Sequence, residues 1–219
     1  MDGLSIIIPA LNAQALLPAT LAALRPASDI VVVDGGSTDG TAAIAAAAGA
    51  RVVMAPRGRG SQIAAGIAAA RHPWLLILHA DTRLGPGWLP AVAAHVANPN
   101  RAGYFRFTLE TADRRARRLE RLVQWRSRVL GLPYGDQGLL IHRDLLRQVG
   151  GMRPLPLMED VDLVRRLGPS RLRALPATAV TSAVRWERDG YLRRSARNLL
   201  CLSLWFAGVP PRLIRHVYG

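Results

Sequence analysis

Four short apolar runs, each closing on a turn built from small or acidic residues, constrain this chain more than any other feature. Leu4 to Pro9, Asp29 to Val33, Val52 to Met54 and Trp74 to His79 are rich in β-branched and aliphatic residues. Each is too short for a buried helix, so each predicts a strand. Between them lie Asn12 to Leu24, with Leu16, Leu17, Leu21 and Leu24 at helical spacing, the Ala-rich Thr41 to Ala48, and the small-residue segment Gln62 to Ala70. Apolar strands alternating with helices predict an α/β fold: a mainly parallel sheet with helices on both faces. Ligands of such sheets bind at the carboxyl ends of the strands.

Past Pro90 the pattern changes. Arg101 to Leu109 predicts an extended segment at the sheet edge, and Ala112 to Leu130 a long Arg-rich amphipathic helix using Leu119, Leu122, Val123 and Val129. Gly135 to Ile141 predicts a return to strand, Glu159 to Leu167 a short acidic-to-basic helix, and Leu192 to Phe206 mixes Arg with a dense apolar face. A chain of 219 residues suits one domain. No repeat, linker or long apolar run calls for a second domain or a transmembrane helix. The lone Cys201 has no disulfide partner and nothing before Ser5 reads as a signal peptide, so the expected location is cytoplasmic.

The formal charge is +14, and all 29 basic residues are Arg. Charge alone fits a basic nucleic-acid-binding module, an anionic membrane surface or phosphate-bearing substrates. A nucleic-acid module leaves the acidic sites unexplained, and the chain has no aromatic stacking surface or nucleic-acid-binding motif, so nucleic acid is not the expected partner.

Those acidic sites fall where a parallel sheet would present them. Asp34 follows the second strand in the turn Asp34-Gly35-Gly36-Ser37-Thr38-Asp39-Gly40, Asp81 follows the fourth, and Glu159, Asp160 and Asp162 crowd the start of a later helix. A carboxylate after strand two can meet a nucleotide base or ribose, or can shape its own turn; Asp39 reads as the cap of the next helix. Taken together, Ile8-Pro9-Ala10-Leu11-Asn12, Val33 to Thr41, Leu78-His79-Ala80-Asp81-Thr82 and Met158-Glu159-Asp160-Val161-Asp162-Leu163 resemble family-2 glycosyltransferases. Within these, they resemble a short bacterial subgroup associated with radical-SAM and selenium-domain proteins. Each motif alone is weak, but four in this order are specific.

The resemblance implies a single GT-A (Rossmann-like) domain, with a nucleotide-binding half over residues 1–90 and an acceptor-side half over 91–219. It implies an inverting transfer from a nucleotide-diphosphate sugar to an unidentified acceptor, lipid-linked or a small molecule. Pro9, Asn12 and Asp34 would line the donor pocket, with Ala80 and Asp81 at the metal motif. Asp81 matches the last position of the family's D-x-D, but the first is His79, which either ligates or packs. The implied cofactor is a divalent cation, Mn²⁺ or Mg²⁺, with Asp81 and His79 as its candidates.

Asp160, backed by Glu159, matches the family's base, although both acids would also favour the positive end of their helix. Arg57, Arg59 and Gln62 precede a helix where a diphosphate could bind, or form a solvated loop. Ser182-Ala183-Val184-Arg185-Trp186 resembles the Q-x-x-R-W element with Ser for Gln, which argues against a processive synthase. Arg185 could meet donor phosphates and Trp186 an acceptor sugar, or Trp186 could sit in the core. Asp136 and Gln137 are further acceptor-side candidates, or a plain turn. The two basic amphipathic segments suit a solvated face, an anionic membrane or a homodimer interface. A sugar-phosphate nucleotidyltransferase is the enzymatic alternative, but it should carry a Gly-rich basic loop where Pro9-Ala10-Leu11-Asn12 stands.

Overall fold

A computed structural model describes residues 3–25 and 27–218. The four apolar runs are strands: β1 (Leu4–Ala10), β2 (Asp29–Asp34), β3 (Arg51–Met54) and β4 (Trp74–Ile77). All pair in parallel, in the order β3-β2-β1-β4. The first connections step outward from β1 on one side and the chain then crosses back to β4 on the other, so the crevice at the carboxyl ends of β1 and β4 is a topological switch point. Alternation does the rest. Ile6 and Ile8 enter one core cluster and Ile7 the opposite one, all at 0% exposure.

Helices cover both faces. α1 (Leu17–Ala23), α2 (Thr41–Ala47) and α4 (Trp88–His95) bury Leu17, Leu21, Ala45, Trp88 and Val92 on one side. On the other, α3 (Arg59–Ala69), α6 (Arg143–Gln148) and α7 (Glu159–Leu167) bury Ile63, Leu145, Leu163 and Leu167. Each such aliphatic side chain contributes roughly 1.5–3 kcal/mol of burial free energy. α1 starts five residues later than the apolar spacing predicts, because Asn12, Ala13 and Gln14 hydrogen-bond across to Ser37, Thr41 and Asp39 instead of entering the helix.

Beyond β4 the sheet is mixed. β5 (Thr82–Leu84), β6 (Ala102–Glu110), β7 (Leu139–His142) and β8 (Leu172–Ser182) complete the order β3-β2-β1-β4-β7-β6-β8-β5, with β7 antiparallel to β4. β6 is therefore an inner strand and not the expected edge, since β8 pairs with it in parallel along its length. The sequence hides β8 because Pro176 interrupts it. The ladder runs from Tyr104↔Ala174 to Arg106↔Thr178, so a bulge spans the position where proline offers no N–H. The segment from Gly135 also differs: Gly135–Gln137 is one 3₁₀ turn, and the strand begins only after Gly138, at φ +62°. Four more helices, α5 (Arg114–Val129), α8 (Val184–Asp189), α9 (Tyr191–Phe206) and α10 (Pro211–Tyr218), pack beyond the sheet's mixed half.

Candidate active site

Antiparallel pairing of β7 with β4 puts the amino end of β7 beside the carboxyl end of β4, with Ile77 opposite Leu139. The turn Gly135–Gln137 is thereby carried next to His79 and Asp81, and the start of α7 comes to the same place. Asp160 Oδ2 accepts from the Gly135 amide at 2.8 Å and its Oδ1 from the Val161 amide at 2.8 Å. Each oxygen keeps a lone pair for another donor. The approach is close: a Cβ on Gly135 would lie 2.5 Å from His79 Nε2. Just before the acidic pair, Met158 holds a left-handed backbone (φ +64°), a conformation that costs a non-glycine residue on the order of 1 kcal/mol.

Around this junction lies a cavity of about 120 Å³. Of the residues singled out in the sequence, Arg59, His79, Asp81, Asp136, Asp160, Arg185 and Trp186 line it. Three carboxylates from different elements thus face one space with the guanidinium groups of Arg59, Arg185 and Arg194. Burial pushes the Asp136 carboxyl up to about 6, with Asp160 and Asp81 adding repulsion and Arg126 opposing it. Its Oδ1 is buried without a hydrogen-bond partner. Burial, and then the nearby Arg59 charge, holds the His79 imidazole down at about 4 and therefore neutral.

Glu159 sits behind the cavity, at 1% exposure, with Arg59 Nε 3.3 Å from its Oε1. Its Oε2 has no partner, and burial raises the carboxyl to about 7 against the pull of Arg59. Asp162 points away: Arg153 at 2.9 Å and Arg166 at 2.7 Å clamp its buried carboxylate, so it braces α7. Trp186 is both core and wall, 9% exposed, stacked on Tyr191 and covered by the Arg194 guanidinium.

The other residues singled out lie outside the cavity lining. Asp34 is 1% exposed, and its Oδ1 accepts from the amides of Gly36 (3.0 Å) and Ser37 (2.7 Å), so the carboxylate shapes its own turn. Asn12, left-handed at φ +48°, ties the loop after β1 to that turn through its amide to Ser37 Oγ and its Oδ1 from the Thr38 amide, both 2.9 Å. Gln62 is buried, and its Nε2 donates to the carbonyls of Ala10 (2.7 Å) and Val33 (2.8 Å); it clamps β1 to β2 instead of facing the cavity. Pro9 is buried within β1, and the Ala80 carbonyl accepts from Thr20 Oγ1 at 2.9 Å. Arg57 is exposed. Gln137, at 1% exposure, bonds Ser127 Oγ and the Phe105 carbonyl, so its amide anchors the turn that carries Asp136.

Sequence reading missed the far wall of the cavity, made by Arg194, Asn198, Cys201 and Leu202 of α9 with Tyr218 of α10. Positions 194, 198 and 201 fall on one side of a helix, but Arg193, Ser195, Arg197 and Ser203 elsewhere in the same segment mask that stripe in the sequence.

A divalent cation fits these residues in part. Among the described residues no group of three His, Cys, Asp or Glu forms a ready-made ion cage. Yet the unpartnered Asp136 Oδ1, the neutral His79 and the Asp81 carboxylate share one cavity, and small hard cations commonly take one or two carboxylates plus substrate phosphates.

The sheet order, the crevice at β1 and β4 and the acidic cavity beyond β4 define a class: an α/β fold of the GT-A type. The model of the glycosyl transferase family 2 matches residues 5–151, and the chain belongs to that family. Curated relatives include uncharacterized glycosyltransferases of Mycobacterium bovis and Mycobacterium tuberculosis, 42% identical over 96 residues, covering 43% of this chain and 44% of theirs. The chain thus spans less than half the length of the curated relatives it matches. Among solved structures, a mycobacterial protein superposes with a TM-score of 0.58 at 23% identity, over 82% of this chain and 65% of that one. Glucosyl-3-phosphoglycerate synthase from Mycobacterium tuberculosis, in complex with Mn²⁺, uridine diphosphate and glucosyl-3-phosphoglycerate, gives 0.57 at 21% identity over 82% and 70%. At these identities the superpositions speak for the fold.

Proposed function

We propose that this chain is an inverting glycosyltransferase that moves a sugar from a nucleotide-diphosphate sugar to an acceptor hydroxyl. The observation that carries the reading is the convergence of Asp81, Asp136 and Asp160 with Arg59 and Arg185 on one cavity beyond β4. Residues 1–90 supply the donor half and 91–219 the acceptor half. Asp160, fixed by two backbone amides, takes the proton from the attacking hydroxyl. Arg59 and Arg185 meet the diphosphate, for which planar guanidinium groups are suited. Asp81, with His79 beside it, would hold a divalent cation, which when bound stabilises charge on the departing diphosphate. Asn12, Asp34 and Gln62 act by holding the nucleotide-side turn in shape, and the four motifs support placement in the subgroup associated with radical-SAM and selenium-domain proteins.

Support for a cation also comes from the fold neighbour crystallised with Mn²⁺ and a uridine nucleotide. The test is a thermal-shift series with UDP, GDP and RNA, each with and without Mn²⁺, on wild type, Asp81→Asn and Asp160→Asn. A ligand at 100 times its Kd stabilises the fold by about 2.7 kcal/mol. One nucleotide should stabilise wild type and Asp160→Asn in a Mn²⁺-dependent way, Asp81→Asn should lose the Mn²⁺-dependent part, and Asp160→Asn should lose turnover. Full turnover in Asp160→Asn removes the assigned base; stabilisation by RNA alone removes the whole reading.

A further inference from the structure

Helix α9 is built inside out. Its inner side carries Arg194 at 8% exposure and Cys201 at 0%, with Asn198 Oδ1 and Trp205 Nε1 buried and unpartnered. Its outer side carries Leu192 at 88%, Leu199 at 64%, and Leu200 and Phe206 at 50%. A helix facing water normally does the reverse. The pattern extends to its neighbours. Among the described residues, every exposed large apolar side chain except Met54 and Val184 lies on α9, on α10, or on α5 with its C-cap. α5 contributes the stripe Leu122, Trp125 and Val129, and α10 contributes Leu213 and Val217. The start of α5 adjoins the start of α9, where the Arg115 guanidinium lies 5.2 Å from the Tyr191 ring centre.

Charge frames these apolar stripes with one sign. Arg118, Arg121 and Arg128 flank the α5 stripe, and Arg193, Arg212 and Arg215 are exposed on α9 and α10. The three helices hold one acidic residue, Glu120, which is buried and paired with Arg117. A solvated face would not expose Leu and Phe in register. A two-fold contact with a second copy would set the same Arg-fringed patch against itself, with no carboxylate to pair. An anionic lipid surface satisfies both halves of the pattern: apolar side chains enter the headgroup boundary while guanidinium groups meet lipid phosphates.

We infer that the outer face of α9, together with α10 and α5, docks this protein flat on an anionic membrane surface. None of the described helices is long and apolar enough to cross a membrane, so the contact is peripheral. The arrangement puts α9 between lipid on one side and the cavity on the other. This inference goes beyond the transferase reading and does not depend on it.

Flotation of the purified protein with phosphatidylcholine vesicles, with and without phosphatidylglycerol, tests it in the absence of any sugar donor. The protein should float with the anionic vesicles and not the neutral ones, and added salt should release it. Arg193→Gln/Arg212→Gln/Arg215→Gln should weaken partition by ~100-fold, from about 1 kcal/mol per arginine near the surface. Leu199→Ser/Phe206→Ser should weaken it too, with little change in melting temperature, because Leu199 is 64% exposed and Phe206 50%, its ring met by the Arg165 guanidinium at 4.8 Å. Equal binding to both vesicle types, no binding, or a dimer by light scattering that Leu199→Ser/Phe206→Ser dissolves would each overturn the inference.

Discussion

Substituting Gly135 by alanine probes the junction on which the proposed chemistry depends. Its φ is not among the positive ones, so alanine meets no backbone strain. The obstacle is space: the new Cβ would stand 2.5 Å from His79 Nε2, 3.0 Å from Cε1 and 3.4 Å from Asp160 Oδ2. The imidazole must retreat by about 1 Å to reach an ordinary contact, and overpacking of that size costs typically 1–3 kcal/mol. For a chain of this length, a cost of about 2 kcal/mol lowers Tm by ~4–8 °C. A displacement of that size at reacting groups also costs on the order of 100-fold in turnover. The assay is urea denaturation of wild type, Gly135→Ala, His79→Ala and the double variant. Removing the imidazole first should make Gly135→Ala nearly neutral, giving a coupling of about 1–2 kcal/mol for groups in direct contact. An equal cost in both backgrounds would refute the contact, and with it the placement of this turn against the end of β4.

The remaining predictions separate bracing from chemistry. Glu159→Gln should gain stability relative to wild type as pH rises from 4.5 to 7: the folded carboxyl is raised to about 7, so folded protein keeps a proton that unfolded chain has lost, and this contribution to wild-type stability is lost through that window. Chemical denaturation across pH checks the slope; His79, held at about 4, contributes the opposite slope between pH 4 and 6.5 in both proteins and cancels in the comparison. Asp162→Ala should cost about 3 kcal/mol, because Arg166 would be left partly buried and unpaired, and should leave metal-dependent nucleotide binding in the surviving folded protein unchanged.

The strands and turns of the first half were legible in the sequence because local chemistry determines them: apolar runs closing on small-residue turns, above all the Gly-rich turn after β2. The second half was less so. Pro176 disguised β8 by breaking its alternation, and without β8 there was no reason to place β6 inside the sheet. Roles were harder than positions. Asp34 and Gln62 stand where a donor pocket was expected, but Asp34 Oδ1 is engaged by amides of its own turn, the local alternative, and Gln62 Nε2 by carbonyls of β1 and β2 that only the fold brings near. The α9 wall was invisible for the same reason: an outward apolar stripe reads as core until the element it would pack on is known to be absent.

Cys201 gives that wall a reporter of its own. The only thiol in the chain lies on the inner side of α9 at 0% exposure, beside Leu157 and Ile214. At that burial a thiol reagent can reach it only when the packing around it opens, so its labelling rate measures how often this wall of the cavity moves. A ligand that bridges the cavity, or a surface that pins the helices down, would register as slower labelling at a single atom, without any engineered probe.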